Sequence, residues 1–293
     1  MYKTAAVINF CSNEYRFLKP CVEQARKFAH VIHIAICDHL FDGQPEDRQA
    51  IKNIAEEFPD VRFFLYPFLA PPFFGKKCSA SDVVHMRHNV SRMVGFHFLP
   101  PEIEYVLFLD ADEVVDGERF SAWHTTSRHL PFAFMKLCCY WYFREPCFQA
   151  RQWETSPLFA KRRFLTRKLI MQKDERTGMF LQGKGAKAEG IVGLDGKPMV
   201  HHYSWVRTKG EMLKKVCSWG HAKDRDWEGL VHEEFAGPFK GRDFVHGYDF
   251  STVEPFAAID FSSSPKKNSS SHSFVEIGQR QLLRIVRGRW WLF

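Results

Sequence analysis

The first 116 residues alternate short apolar runs with longer segments of helical periodicity. The apolar runs are AAVINF, VIHIAIC, VRFFLYPF and YVLFL, and the segments between them are EYRFLKPCVEQARKFA, RQAIKNIAEEF and SDVVHMRHNVSRMVGFHF. In RQAIKNIAEEF the apolar side chains fall at 51, 54, 55 and 58, the spacing of one helix face. Strands that alternate with helices in this way predict an α/β fold, with a mostly parallel sheet and helices on both of its faces.

Polar residues follow three of the four predicted strands. They span residues 9–14 after the first strand, 38–43 after the second and 110–116 after the fourth. Ligands of parallel α/β sheets bind beyond the carboxyl ends of the strands. We therefore expect these three segments to surround one crevice.

Asp110 and Asp112 follow directly on the apolar run YVLFL. Charges at the end of a buried strand must be hydrated, paired or bound to a metal ion. A turn at this point would let both carboxylates approach one cation, and hard oxygen ligands suit Mg²⁺ or Mn²⁺. The alternative is a hydrated strand end beside basic neighbours. Binding of a metal ion and a diphosphate is the favoured interpretation because the acids end a buried strand.

Five segments in this order resemble the GT-A fold nucleotide-sugar glycosyltransferases of the family 2 type. The segments are FLDADE for the acidic motif, INFCSNEYRFL for the first strand, CDHLFDG for the second, MRHNVSR for the preceding helix and MVHHYSW for a late strand with histidine. The resemblance covers residues 4–205. It implies a Rossmann-like sheet and an enzyme that moves a sugar from a nucleotide-diphosphate donor, with UDP as the first choice.

The resemblance also implies roles for individual residues. Asp38 would bond the uracil, Asp112 would bind the cation that bridges the diphosphate, and Arg87 or Arg92 would contact base or phosphate. The implied donor-binding residues are Asn9, Asp38, Arg87 and Asp110, and the implied ligands of Mn²⁺ or Mg²⁺ are Asp110, Asp112 and His202.

An inverting transfer also needs a carboxylate that deprotonates the acceptor hydroxyl on the side opposite the diphosphate. This base is expected in the second half of the chain, where the family order favours Glu189 first and Glu154 second, with Glu145 as a further candidate. The basic run 161–163 would either contact phosphates or form a solvated edge strand.

The segments after residue 205 carry no motif of this kind. We expect a helical acceptor-side extension at 206–261, a polar linker at 262–273 and a basic amphipathic tail at 274–293. Six basic residues and one acid lie between Lys266 and Phe293, so this stretch carries +5 of the net charge of +7. A basic amphipathic helix that ends in Trp-Trp-Leu-Phe suits an anionic membrane surface, whereas the alternative is a helix docked on the protein.

Composition and missing motifs exclude several classes. With 45% hydrophobic and 26% charged residues the chain is globular rather than disordered. Eight cysteines without a CxxC pattern indicate reduced thiols in a cytoplasmic protein. The sequence shows neither a signal-peptide pattern nor an apolar run of membrane-spanning length. The first strand is not followed by the glycine-rich loop of sugar nucleotidyltransferases, and no nucleic-acid signature is present. We expect a glycan or lipid-linked acceptor; the alternative function is a non-catalytic module that binds membranes through the tail.

Overall fold

A computed structural model describes residues 2–40, 43–70, 73, 80–218, 225–262 and 274–288. Its strands are β1 (Thr4–Asn9), β2 (Val31–Cys37), β3 (Arg62–Tyr66), β4 (Tyr105–Asp110), β5 (Glu113–Val115), β6 (Phe134–Phe143), β7 (Glu145–Lys161), β8 (Lys187–Ile191), β9 (Val200–Trp205), β10 (Phe250–Thr252) and β11 (Val275–Glu276). Its α-helices are α1 (Tyr15–Ala25), α2 (Arg48–Glu57), α3 (Ala80–His97), α4 (Gly117–His124), α5 (Arg167–Ile170), α6 (Glu175–Gln182), α7 (Lys209–Ser218), α8 (Trp227–Glu234) and α9 (Gln279–Arg287).

These strands form one sheet in the order β11-β3-β2-β1-β4-β7-β6-β9-β5, with β10 beside β7 and β8 beside β6. The strands β3, β2, β1 and β4 are parallel to one another. Within the described residues, six of the ten strand pairings are parallel. The prediction of a mostly parallel sheet is therefore confirmed, and its antiparallel part begins where β7 joins β4.

Helices cover both faces of the sheet, as predicted. Side chains of a strand alternate between faces, and β1 shows this directly: Ala6 and Ile8 belong to one core cluster, and Ala5 and Val7 to another. The first cluster packs under α1, α2 and α4, and the second under α3, α6 and α9. The helices α7 and α8 follow β9 and supply the predicted C-terminal helical extension. The predicted domain boundaries themselves stay predictions.

The close approach of α3 to β1 depends on a glycine. A Cβ atom added to Gly95 would lie 2.6 Å from Cγ1 of Val7, closer than packed atoms tolerate. The carbonyl of Gly95 also accepts a hydrogen bond from Nδ1 of His33, at 2.8 Å. This contact fixes α3 on the sheet and thereby the position of Arg92, which lies one turn earlier on the same helix and is fully buried.

The helix α9 lies against α3 and the sheet. Its buried residues are Leu282, Ile285 and Val286, whereas Arg280 and Arg284 are exposed. The Trp-Trp-Leu-Phe end of the tail lies outside the described residues, as do residues 263–273 of the expected linker. The apolar face of α9 therefore packs inside the protein, which is the alternative considered for the tail. Within the described residues, no helix is both long and apolar enough to cross a membrane.

We predict that Leu282→Ala lowers the free energy of unfolding by about 2–4 kcal/mol, because the side chain is fully buried. Urea denaturation measures this loss. The matched control is Arg280→Ala on the exposed face, which should change the value by less than about 0.5 kcal/mol. Equal and small effects of both substitutions would contradict the docking of α9.

Two buried histidines predict a loss of stability in mild acid. Burial lowers the pKa of His33 and of His124 to about 4. The unfolded chain then binds more protons below its own histidine pKa of about 6.5, so stability falls as the pH drops from about 6.5 towards 4. Each histidine should cost about 2 kcal/mol between pH 7 and pH 5. Urea denaturation at pH 7 and pH 5 measures this loss in the free energy of unfolding. The loss should be smaller for His124→Phe than for the wild-type protein, and it should be unchanged for His232→Phe because His232 is exposed.

Candidate functional site

A cleft of about 590 Å³ opens at the carboxyl ends of β1 and β4. One wall is formed by residues 9–16, which follow β1, and by the 84–88 part of α3. The floor carries Asp110 and Asp112, and the other wall carries Trp141, the end of β9, one face of α7 and residues 245–246. Two of the three segments expected at one crevice, 9–14 and 110–116, thus contribute to the cleft.

Several buried polar atoms in this cleft have no hydrogen-bonding partner. They are Oε2 of Glu14, Nη1 of Arg16, Oδ1 of Asp112, Nε1 of Trp141 and Nδ1 of His202. An unsatisfied buried polar atom costs about 1–3 kcal/mol, so native proteins keep few of them unless a ligand or water supplies the partner. Their concentration in one cleft indicates a binding site.

Asp112 and His202 come together through strand pairing. β5 pairs with β9 so that Glu113 lies opposite His202, and the backbone N–H of Tyr203 donates to the carbonyl of Asp112 at 2.8 Å. Nε2 of His202 lies 3.6 Å from Oδ1 of Asp112. His201 points to the other face of the strand, where its ring stacks on Phe256 at 3.9 Å. Of these two neighbouring histidines, His202 lines the cleft and His201 does not.

The positive charges near Asp112 do not fully compensate the negative charge of its carboxylate. Its side chain is almost fully buried, and burial together with the nearby charge of Glu14 raises its pKa to about 6. Burial alone would also raise the pKa of Glu14, but the charges of Arg207 and Lys215 lower it. Arg207 donates to Oε1 of Glu14 at 2.6 Å and lies 4.0 Å from Oδ2 of Asp112. A carboxylate that is easier to protonate than usual lacks full compensation, and a cation would supply it.

The residues present fit a divalent metal ion in part. Carboxylate oxygens are preferred ligands of both Mn²⁺ and Mg²⁺, and the softer imidazole nitrogen suits Mn²⁺ better than Mg²⁺. Oδ1 of Asp112 is buried without a hydrogen-bonding partner. Among the described residues, however, no group of three or more His, Cys, Asp or Glu side chains is arranged to hold a metal. Asp112 and His202 could therefore be only part of a coordination shell, and the remaining ligands would be water or a diphosphate.

Asp110 is engaged differently from Asp112. Its Oδ1 accepts from Arg92 at 2.7 Å and from Nδ2 of Asn9 at 3.2 Å, and its Oδ2 accepts from Arg176 at 2.9 Å. Burial opposes ionisation, but Arg176 and Arg92 hold the pKa of Asp110 well below its usual range. The structure thus brings Asn9 and Asp110 together in the cleft, but it occupies both oxygens of Asp110 with other donors. A role for Asp110 as a metal ligand would have to use the remaining lone pair of Oδ2 or displace one of these donors.

Two further acids complete this buried network. Glu113 accepts from Arg176, from Ser156 at 2.7 Å and from the backbone N–H of Asp110 at 2.8 Å. Glu175 accepts from Arg92 at 2.6 Å. Glu175 and the preceding Asp174 both have positive φ angles, of 49° and 67°. Such backbone is strained by about 1–3 kcal/mol per residue and persists where the surroundings impose it; here it directs Glu175 and Arg176 towards the floor of the cleft.

Asp38 and Arg87 do not line this cleft. Oδ1 of Asp38 accepts from the backbone N–H of Phe68 at 2.8 Å and lies 2.7 Å from Nδ1 of His39. The guanidinium of Arg87 lies 4.2 Å above the ring of Phe68, and both residues line a smaller cavity with His39. Asp38 lines neither cavity, so the predicted contacts of Asp38 and Arg87 with a nucleotide stay predictions.

The two predicted bases also lie outside the cleft lining. Glu189 is half exposed, and its carboxylate pairs with Lys136 at 3.1 Å and accepts from Thr155 at 3.0 Å. The geometry does not bring Glu189 to Asp112. Oε1 of Glu154 accepts from the hydroxyl of Tyr248 at 2.6 Å. The ring of Tyr248 lies 5.0 Å from that of His246, which lines the cleft, so Glu154 is one residue behind the cleft wall.

The other basic and acidic candidates play local roles. Arg162 donates to the carbonyls of Leu99 and Pro100, and Lys161 donates to that of Leu130 at 2.5 Å. Arg163 is exposed, and Glu145, at the start of β7, is exposed as well.

Sequence reasoning missed several basic or aromatic residues of the cleft, among them Trp141, Arg207 and Lys215. It also missed Arg176, which binds Asp110 without lining the cleft. Burial and the charge of Arg207 lower the pKa of Lys215 to about 8, and its Nζ donates to Oγ of Ser204 at 2.7 Å. Arg207 had a usable signal, because it follows the HYSW element by two positions. The others come from segments that carry no motif, and only the fold brings them to the acids.

Comparison with known proteins gives no family assignment: no family profile matches the sequence, and no curated protein matches it. Solved structures with a similar chain course include 4-diphosphocytidyl-2C-methyl-D-erythritol synthase from Anaerococcus prevotii, with 10% identity over 72% of this chain and 94% of that chain and a TM-score of 0.40. A glycosyltransferase involved in the glycosylation of the major capsid of PBCV-1 has 9% identity over 71% of this chain and 96% of that chain, with a TM-score of 0.37. The catalytic domain of Drosophila beta1,4galactosyltransferase 7 has 10% identity over 82% of this chain and 83% of that chain, with a TM-score of 0.36. Scores this low carry no argument about activity, which has to come from the cleft.

Proposed function

We propose that this protein is a metal-dependent glycosyltransferase that uses a nucleoside diphosphate sugar, with UDP as the first choice of nucleotide. The observation that carries the proposal is the set of unpartnered buried polar atoms in the cleft, with Asp112 and His202 at its centre. The cleft lies at the carboxyl ends of β1 and β4, where parallel α/β sheets bind their ligands. A binding site of mixed charge, with one undercompensated carboxylate, suits a diphosphate that arrives with a divalent cation.

In this proposal Asp112 and His202 hold the cation, Mn²⁺ or Mg²⁺. Bound there, the cation would neutralise the charge that develops on the departing diphosphate. Arg207 and Lys215 add fixed positive charge on the same side of the cleft. At pH 7 most Lys215 side chains carry their proton even with a pKa of about 8, so this residue can donate to a phosphate oxygen. Arg92 and Arg176 act through Asp110, whose position they fix.

Inversion at the transferred sugar requires a general base near the acceptor hydroxyl. We retain Glu154 for this role in preference to Glu189. Glu154 is connected to the cleft wall through Tyr248 and His246, whereas Glu189 is engaged by Lys136 and Thr155. The acceptor we propose is the hydroxyl of a glycan, free or linked to a lipid. The alternative of a membrane-binding module gains no support from α9, because the apolar face of that helix packs inside the protein.

Thermal unfolding with nucleotides tests the proposal. UDP, GDP, CDP and ADP are each added with and without Mn²⁺ or Mg²⁺. A ligand at about 100 times its Kd stabilises the folded state by about 2.7 kcal/mol, so we expect a clear rise in Tm with UDP and metal together. His202→Phe should remove most of the metal-dependent part, whereas His232→Phe, an exposed histidine on α8, should not.

The outcomes separate the parts of the proposal. A rise in Tm with another nucleotide and metal would support the transferase proposal but would replace uracil as the assigned base. A rise with UDP that needs no metal would contradict the metal site. The absence of a rise with every nucleotide and metal pair would contradict the proposed function.

A further inference from the structure

The wall of the cleft beside His202 is aromatic. The ring of Trp141 lies 5.0 Å from that of His202 and 4.8 Å from that of His246. Trp141 is 7% exposed and lines the cleft, and its Nε1 has no hydrogen-bonding partner. An indole N–H can only donate, and buried tryptophans usually find an acceptor. The missing partner is therefore an acceptor atom of a water molecule or of a ligand that enters the cleft.

A tightly folded loop holds His246 against Trp141. Asp243 is buried, and its Oδ1 accepts from the backbone N–H groups of Val245, His246 and Gly247 at 2.7, 2.6 and 3.2 Å. Its Oδ2 accepts from the backbone N–H of Tyr248 at 3.2 Å. Gly247 has a φ of +71°, in the left-handed region that favours glycine.

This loop is also tied to the sheet, because the hydroxyl of Tyr248 donates to Glu154 on β7. His246 is exposed, but its backbone is fixed on both sides by these bonds. A side chain on a backbone held in this way is suited to selective binding, since little order has to be gained when a ligand arrives.

We propose that Trp141 and His246 form a subsite for a hydroxyl-bearing sugar ring, and that this ring belongs to the acceptor. The inference rests on the proposed function. The indole N–H would donate to a ring hydroxyl, and the imidazole of His246 offers a second polar group beside it. Because Trp141 contacts His202, a ring bound there lies next to the cation-binding pair. The sugar of the donor has the same chemistry, so the experiment has to separate the two sources.

Saturation-transfer NMR with methyl glycosides of glucose, galactose, N-acetylglucosamine and mannose measures the acceptor side directly. The donor side is measured as the hydrolysis of UDP-glucose, UDP-galactose and UDP-N-acetylglucosamine in the presence of Mn²⁺. We expect at least one glycoside to bind the wild-type protein. Trp141→Phe, which keeps a ring and removes the N–H, should weaken that binding by about tenfold and change the KM for the hydrolysed donor by a clearly smaller factor. His246→Ala, on the exposed loop, should act in the same direction.

The matched control is Trp153→Phe, because Trp153 is exposed on β7 and does not line the cleft. It should bind glycosides like the wild-type protein. Unchanged glycoside binding in both Trp141→Phe and His246→Ala would overturn the proposal, as would the failure of every glycoside to bind. A raised KM for the donor with unchanged glycoside binding would assign the subsite to the donor and overturn it as well. Failure of the proposed function is seen separately, as the absence of any stabilisation by nucleotide and metal.

Discussion

Replacing Asp112 with asparagine is expected to abolish sugar transfer and, at the same time, to stabilise the metal-free protein. The substitution keeps the size of the side chain and removes its charge. Loss of a charged metal ligand should lower kcat by about 10³-fold, which corresponds to about 4 kcal/mol of transition-state stabilisation. Activity assays with UDP-sugars and Mn²⁺ measure this loss.

The gain in stability follows from the raised pKa of the carboxyl group. Asp112 has a pKa of about 6 in the folded protein, against about 3.9 in an unfolded chain. The folded state therefore binds the proton more tightly, and its stability falls as the pH rises from about 4 to 6. At pH 7 the buried charge is present, so Asp112→Asn should raise the free energy of unfolding by about 1–3 kcal/mol. This gain should largely vanish near pH 3, where the carboxyl group is mostly protonated in both states.

The matched control is Asp116→Asn. Asp116 caps α4 by accepting from the backbone N–H of Arg119 at 3.1 Å, and asparagine caps helices about as well. Its activity and stability should stay close to those of the wild-type protein. An Asp112→Asn variant with normal turnover would refute the assignment of the cleft as the catalytic site. A variant that is less stable than the wild-type protein at pH 7 would refute the inference that the charge of Asp112 is uncompensated.

The floor of the cleft could be predicted from the sequence because its signal is local. The buried strand β4 and the acids Asp110 and Asp112 are neighbours in the chain, so the change from apolar to acidic residues is visible without the fold. The different environments of the two acids could not be predicted: arginines bind Asp110, whereas the charge of Asp112 is not fully compensated. They depend on Arg92 and Arg176, which bind Asp110 and come from α3 and α6, 18 and 66 residues away.

The position of Glu189 depends on strand register, which order along the chain does not reveal. β8 and β9 both pair in parallel with β6, but β8 pairs with residues 134–137 and β9 with residues 139–143. Glu189 on β8 therefore lies opposite Lys136, whereas His202 on β9 lies opposite Trp141. Order along the chain cannot distinguish these two registers. The tail shows a related limit: periodicity predicts that α9 is amphipathic, but it does not say which surface the apolar face covers.

The largest loss of stability is expected from Arg176→Met. Arg176 is buried and donates to Glu113, to Oδ2 of Asp110 at 2.9 Å and to Oγ of Ser156 at 2.9 Å. The methionine fills a similar volume but leaves the fully buried carboxylate of Glu113 without a cation. Removing one partner of a buried ion pair costs about 3–5 kcal/mol, and urea denaturation at pH 7 should show a loss of that size.

A second substitution separates lost charge from lost packing. If the uncompensated carboxylate is the cause, adding Glu113→Gln to Arg176→Met should restore part of the stability, because the amide is neutral and can still accept from Ser156 and the backbone N–H of Asp110. The exposed Arg163 gives the control, since Arg163→Met should change the free energy of unfolding by less than about 0.5 kcal/mol. A double variant no more stable than Arg176→Met would assign the loss to packing. A loss below about 1 kcal/mol in Arg176→Met would mean that Arg92 alone compensates the acids, and Asp110 would then be free to leave Arg176 and join Asp112 at the cation.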